Sequence, residues 1–434
     1  MNTLNGFRRW LAESRRNQLL TGGIALSLGG AVAAAAVVLA VSGDGDGRPA
    51  IVALTATPTP QATRPRSTAT PTPAPAPTAS PTPEPAVQRI AYIGADRDVW
   101  IINADGSDNR KLFDVPTGEG DSVHNLQWAP DGSKFTVTMS PKDVIYIVSA
   151  EGDKLLEVPA VTFLAWSPTG DSFAVARPPA LQVEPALILL DLQGQPLIEA
   201  INDVQPLAPA FSPSFSSDGH HLAFLQDLGG DGLCGILRGF VADLQTGQVS
   251  PVDAEEEPIG CGNGAPLFSP TVPSLLAYGK QLYDLANGQK LPLPGNAVRW
   301  SADGRRVVVC VRETGRQAIL YDINAAAPVL ELPYTPAPDG PCWMHLIGWG
   351  GSSPDGELFA VYDRASGDLR IRGVSSPADA TVPVSSGGTQ SVQFSPDGRH
   401  VLLEQSTKVP VVDVEGAVVS LTISGTEAAW QPQP

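Results

Sequence analysis

The sequence predicts an all-β fold, a β-propeller of eight four-stranded blades closed by its N- and C-terminal strands, with one N-terminal transmembrane helix ahead of it. Three observations predict it. A unit of aromatic, small residue, turn and β-branched run recurs through residues 88–434. The first unit lacks its leading strand, and the last residues, "TEAAWQPQP" at 426–434, offer a copy of that strand. An uncharged run of 23 residues, "LLTGGIALSLGGAVAAAAVVLAV" at 19–41, precedes everything else.

The N-terminal elements come first. Residues 1–18 hold Arg8, Arg9, Arg15 and Arg16 against Glu13. The uncharged run that follows would span ~35 Å as a helix, enough for a bilayer core. Asp44 and Asp46 lie beyond it. Basic residues before the span and acidic ones after it place residues 1–18 in the cytoplasm, 19–42 in the membrane and the rest outside. The expected location is the cell membrane, single-pass, with the propeller extracytoplasmic. A cleaved signal peptide is the rival, since Ala40 and Ser42 are small; the run exceeds the usual 7–15 apolar residues of a signal. Residues 43–87 read as a Thr/Pro-rich linker, too poor in apolar side chains to bury a core. Its Pro-rich stretch at 55–86 would reach up to ~95 Å, and its Thr and Ser could accept O-linked sugars.

The repeats follow. They read "WAPDGSKFTVT" at 128–138, "WSPTGDSFAVA" at 166–176, "FSSDGHHLAFL" at 215–225, "FSPTVPSLLAY" at 268–278, "WSADGRRVVVC" at 300–310, "WGGSSPDGELFAVY" at 349–362 and "FSPDGRHVLLE" at 394–404. The anchors are Trp128, Trp166, Phe215, Phe268, Trp300, Trp349 and Phe394, spaced 32 to 53 residues apart. That spacing suits one four-stranded blade per unit. In "PDG" the Pro presets φ, Asp fits the next position and Gly takes the left-handed conformation, so the tripeptide closes a hairpin. A second hairpin follows in most units, as in "LILLDLQGQPLIEA". No amphipathic helix stands out in 88–434. "LTISGTEAAWQP" at 421–432 parallels "LEVPAVTFLAWSP" at 156–168, so Trp430 is the eighth anchor and its strand should close the ring. Closure removes exposed sheet edges. The blade number becomes seven if the short unit at 265–294 merges with a neighbour.

The units resemble the WD-type repeats of TolB-like β-propellers, most closely in "DVWIINADGSDNRKL". The resemblance spans residues 88–434 and implies fold, not activity, because propellers host many functions. The chain departs from TolB itself in its anchor, its Thr/Pro spacer and the lack of a TolB-type N-terminal domain.

Candidate functional residues are few. No G-x-S-x-G elbow or H-E-x-x-H occurs. The five histidines, His124, His220, His221, His345 and His400, lack metal-ligand spacing, and three of them follow turn glycines as exposed turn residues. "SPDG" differs from the S-x-D-x-G order of sialidase boxes, and "DLGGDG" lacks the full calcium-loop spacing. No cofactor and no metal are expected. The four cysteines, Cys234, Cys261, Cys310 and Cys342, fall in or beside connections that open on one end of a propeller; outside the membrane they read as disulfides. The favoured pairs are Cys234–Cys261 and Cys310–Cys342, each joining neighbouring blades. Zinc is the rival reading, without C-x-x-C spacing. The same end carries long loops at 177–186, 226–237, 253–265 and 334–345. The candidate contact surface there is Asp227, Asp231, Glu255, Glu256, Glu257, Trp343 and His345, against the plain reading of a solvated acidic run.

With a formal charge of −17, most of it beyond the basic N-terminus, the chain is a poor phosphate binder, which argues against nucleic acid. The expected function is a non-catalytic binding or scaffold module for a protein or cell-envelope polymer, on a monomeric ectodomain. A glycan-acting lyase or hydrolase with a site in the central channel is one alternative, and a receptor ectodomain is another.

Overall fold

The repeated turn builds each blade. In a computed structural model of the chain, Ser395 of "SPDG" is fully buried, and its Oγ donates to Asp397 Oδ1 at 2.6 Å. The same Oγ accepts the His400 N–H at 2.9 Å. Asp397 Oδ1 accepts the Arg399 N–H, and Gly398 sits at φ 72°, where a side chain would be strained. Ser216, Ser301 and Ser353 repeat the arrangement with Asp218, Asp303 and Asp355. The serine therefore satisfies a buried amide that the tight turn would otherwise leave without a partner.

The structure describes residues 87–159, 162–176, 187–198, 210–227, 237–253, 265–311, 317–332, 350–363, 366–376, 378–384 and 391–433. Their strands form eight antiparallel sheets of four. Blade 1 joins 89–113 to 428–430, and blades 2 to 8 run over 122–158, 162–198, 210–251, 267–292, 296–332, 350–383 and 391–424. The short unit stands as its own blade 5, so the count is eight. Its second and third strands meet across the two-residue turn Gly279–Lys280. Residues 1–86, which include the apolar run and almost all of the linker, lie outside the described residues. Among the described residues no helix is long and apolar enough to cross a membrane.

Middle strands are buried on both faces, because each blade is covered by its neighbours. Lys134–Ser140 and Val144–Ser149 are buried along almost their whole length, whereas the outer strand Lys154–Val158 is largely exposed. The cores lie between blades: Ile145 and Ile147 of blade 2 pack with Trp166, Phe173 and Ile188 of blade 3.

The inner strands carry the anchors, and the structure adds a link that periodicity does not show. Each described anchor indole donates to the carbonyl of the residue just before the preceding blade's anchor. Trp128 reaches Ala429 at 3.3 Å, Trp166 reaches Gln127 at 3.4 Å, Trp300 reaches Leu267 at 2.9 Å and Trp430 reaches Gln393 at 3.3 Å. The first residue after a turn covers the next anchor ring: Lys134 Nζ lies 5.7 Å from the Trp166 ring, and the His400 ring 6.1 Å from Trp430. His221 packs likewise 6.2 Å from Phe268. His221 and His400 are therefore half-buried inter-blade residues rather than the exposed turn residues expected from sequence, while His220 is exposed.

Ring closure follows the expected pattern. Ile90, Ala91 and Tyr92 pair with Trp430, Ala429 and Ala428. The Gln431 N–H donates to Arg89 O at 2.9 Å, as the Ala129 N–H donates to Lys134 O at 2.8 Å across an intact turn. Gln431 Nε2 donates to Gly132 O at 2.8 Å. The seam thus lies where blade 1 would have its "PDG" turn, and Gln431–Pro432 takes the place of the first half of that turn.

Candidate functional site

Antiparallel strands in this order send the first and third turns of every blade to one end of the ring, the turn end. The second turns and the inter-blade connections open at the other, the loop end. Of the contact surface expected at the loop end, the described backbone includes Asp227, the last residue of His221–Asp227, paired with Leu237. Asp231, Glu255, Glu256, Glu257, Trp343 and His345 lie outside the described residues, as do Cys234, Cys261 and Cys342. Cys310 is buried on Arg306–Val311 and is disulfide-bonded. Its partner, and so the expected pairing, falls outside the described residues.

At the loop end a polar network joins blades 1 and 2. Lys111 Nζ lies 2.6 Å from Asp98 and 2.9 Å from Asp114. Arg97 donates to Asp121 O at 2.6 Å, and Lys142 Nζ meets the Asp121 carboxylate at 2.7 Å. The Lys142 ammonium, then the Gly118 amide, hold the Asp121 carboxyl below its ordinary range. Acid and base are matched side by side here, which suits a structural tie.

Beside the inner strands, polar side chains bind the backbone of neighbouring blades. Glu427 Oε2 accepts the Leu126 N–H at 3.0 Å, linking blade 1 to blade 2. Glu404 Oε1 accepts the Ala428 N–H at 2.8 Å, linking blade 8 to blade 1. Burial pushes the Glu404 carboxyl above its ordinary value; Ser391 and the Ala428 amide oppose this, and Glu427 adds to it. Gln393 donates to Ala428 O at 3.2 Å. No group of three or more metal-ligating side chains occurs among the described residues.

One blade breaks the anchor pattern. By its hairpin, Ser353 matches Ser301 and Ser395, and Ser352 pairs with Phe359 as Trp300 pairs with Val307. The anchor place of blade 7 is therefore Ser352, not Trp349 as expected from sequence; Trp349 itself lies outside the described residues. The inner strand is Gly350–Ser352, "GGS". A Cβ at Gly351 would come within 2.9 Å of the Val392 carbonyl, so the close approach of blades 7 and 8 needs glycine there. Arg306, which elsewhere would cover an anchor ring, instead donates to Gly356 O at 2.6 Å and Glu357 at 3.3 Å.

A cavity of about 600 Å³ opens around this strand on the turn side. Its walls are Leu267, Phe268 and Pro270 of blade 5, residues 298–302 of blade 6, Gly351 and Ser352 of blade 7, and residues 392–394 of blade 8. Among the described residues of that wall Arg299 is the one charged side chain. A bulge at Val298 shifts the strand register just ahead of it, and its guanidinium donates to Gly350 O at 2.6 Å. Burial holds its pKa below the ordinary arginine value. Ser352 Oγ accepts the Ala302 N–H at 2.8 Å. The arrangement combines aromatic walls with one desolvated cation, in the size range of ligand pockets. The sequence signal that could have found it was the "SPDG" register of blade 7, which puts a serine where an aromatic belongs.

No family model matches the chain, and no curated protein matches it. Solved structures share its fold. A eukaryotic initiation factor superposes with a TM-score of 0.53 at 14% identity, over 81% of this chain and 100% of that one. Dipeptidyl peptidase 4 of Porphyromonas gingivalis gives 0.52 at 12% identity, over 77% of this chain and 58% of that one. TolB of Acinetobacter baumannii gives 0.38 at 16% identity, over 80% and 67% of the two chains, a distant likeness without a family assignment.

Proposed function

We propose that the chain is a non-catalytic binding module, held at the cell membrane by residues 19–42, whose propeller receives a protein or cell-envelope ligand outside it. The cavity beside Ser352 carries this reading. It has ligand-site dimensions and arises where one blade omits an anchor that the other described inner strands retain as Trp or Phe. The acidic loop-end residues Glu255–Glu257, with Asp227, Asp231, Trp343 and His345, are the second contact surface of the same reading. Full-length chain, crosslinked in its membrane and purified, should retain a partner. Filling the cavity by Ser352→Trp, or reversing charge at Glu255, Glu256 and Glu257, should release it. Retention unchanged by both variants would sink the reading.

One observation favours a second reading. Glu404, with its raised pKa, lies near Glu427, and paired carboxyls in unlike environments are what glycan hydrolysis uses. Against it, each carboxylate already holds a strand amide. Glycan turnover by the wild type that Glu404→Gln abolishes would turn the choice to this reading.

A further inference from the structure

We propose that the outer edge of blade 8 pairs with the same edge of a second copy, joining two propellers as a symmetric dimer in place of the monomer expected from sequence. The inference does not depend on the cavity. The outermost strand of a blade shows a row of unpaired backbone groups, which a strand of another chain can complete. In blades 1 to 7 these strands read RKLF, KLLEV, PLI, VSP, QKLP, APVLEL and DATVP. Each holds a charged residue or a proline, the guards that keep an edge from pairing. Val418–Ser424 of blade 8 reads VVSLTIS, with no charge and no proline, and it is the longest of the outer strands. All of it but Leu421 and Ile423 is exposed, with Val418 at 55% and Val419 at 39%. No described strand lies on its outer side.

The edge offers hydrogen bonds in a definite register. The Gly425 N–H donates inward to Thr407 O at 3.3 Å. Inward bonds fall on alternate residues of an antiparallel strand, so Ile423 and Leu421 also face inward, and Thr422 and Ser424 turn their N–H and C=O outward. A two-fold axis beside Ile423 sets Thr422 of each copy opposite Ser424 of the other, and each such pair exchanges both of its N–H···O bonds. A bulge leaves out Ser420, whose hydroxyl donates to Val411 O at 3.1 Å. It bends only the first half of the strand, and the outer pairings of blades 1, 2, 3 and 6 carry bulges as well.

Charge, symmetry and area name a second copy as the occupant. The chain carries a formal charge of −17, so two copies repel wherever their charged surfaces meet, and an uncharged strand is where they can touch. Each ring has one unguarded edge, so antiparallel self-pairing closes at two copies instead of growing into a fibre. A strand edge with two exposed valines falls short of the roughly 1,200 Å² of a stable complex. The dimer is therefore weak and forms where the chain is concentrated.

Sedimentation velocity and amide exchange on the purified full chain test this, with detergent in excess so that each micelle holds one chain. Dimer should grow as protein is raised from about 1 to about 100 μM, the range of a weak interface. It should grow further with added salt, which screens the repulsion between copies. Exchange over residues 418–424 should slow several-fold across the same range. Thr422→Lys, which supplies the guard that other blades carry, should keep the chain monomeric at every concentration and leave its melting midpoint unchanged when dilute. A wild type that stays monomeric at the highest concentration, or a dimer undiminished in Thr422→Lys, would overturn the proposal. If the wild type stays monomeric and exchange along 418–424 slows only when the peptide Thr-Val-Thr-Val-Thr is added, the edge belongs to a partner's strand and the second copy is ruled out. The exchange measurement needs only the wild type, so it decides even if the variant fails to fold.

Discussion

Glu404 shows how one residue can hold the ring together at a cost that depends on pH. Its Oε1 holds the Ala428 amide, so the acceptor is needed, but the charge is not. Burial, reinforced by Glu427, raises its folded pKa above the unfolded value of about 4.3. Between the two values the folded chain keeps a proton that the unfolded chain has released, so stability falls as pH rises through that window. Below the unfolded pKa the penalty vanishes. Glu404→Gln keeps a carbonyl acceptor and removes the charge. Thermal melts should therefore show the variant more stable than the wild type at pH 8 and indistinguishable from it at pH 4. A variant less stable than the wild type at pH 8 but not at pH 4 would show that the carboxylate form matters.

At the scale of the element, the Ser-x-Asp-Gly turn is the unit that repeats. Ser395 is fully buried and joins Asp397 to the His400 amide. Ser395→Ala leaves that amide without its acceptor and should cost about 1–3 kcal/mol, read as a shift of the denaturant midpoint with an unchanged slope. A loss under about 0.5 kcal/mol, the usual range for a neutral surface change, would mean the hydroxyl is not needed. These turns were legible in the sequence, because Pro, Asp and Gly each have a backbone reason to stand where they do. The eight blades and the pairing of 428–430 with 89–93 were legible for the same reason. Blade 7 departs from the sequence expectation because its aromatic, Trp349, stands three residues ahead of the place that the turn defines. The cavity was invisible because it comes from a missing side chain, and composition does not record an absence at one strand position. The indole-to-carbonyl links were not foreseen either. They need the offset between neighbouring blades, which no single repeat contains.

For the whole molecule the decisive contact is the seam. Three residues of inner strand, Ala428–Trp430, complete blade 1, and blades 8 and 2 both lean on them. Trp430 packs with Ile90 and Tyr92 of blade 1 and with Leu402, Val409 and Val411 of blade 8. Its indole holds Gln393 O, Ala429 O holds the Trp128 indole, and Glu427 holds Leu126. Deleting residues 424–434 removes all of these together and leaves two blade faces and a strand edge open to water. Burial of a large aromatic alone is worth about 3–5 kcal/mol when truncated, and here it is lost with its neighbours' hydrogen bonds. A ring differs from an open repeat array in that opening it at one place frees both sides of the cut. The loss should therefore spread, lowering the melting midpoint of the propeller and raising amide exchange in blades 2 and 8 as well as in blade 1. If exchange rose only along 89–113, the blades would be stable one by one, and closure would serve only to cover an edge.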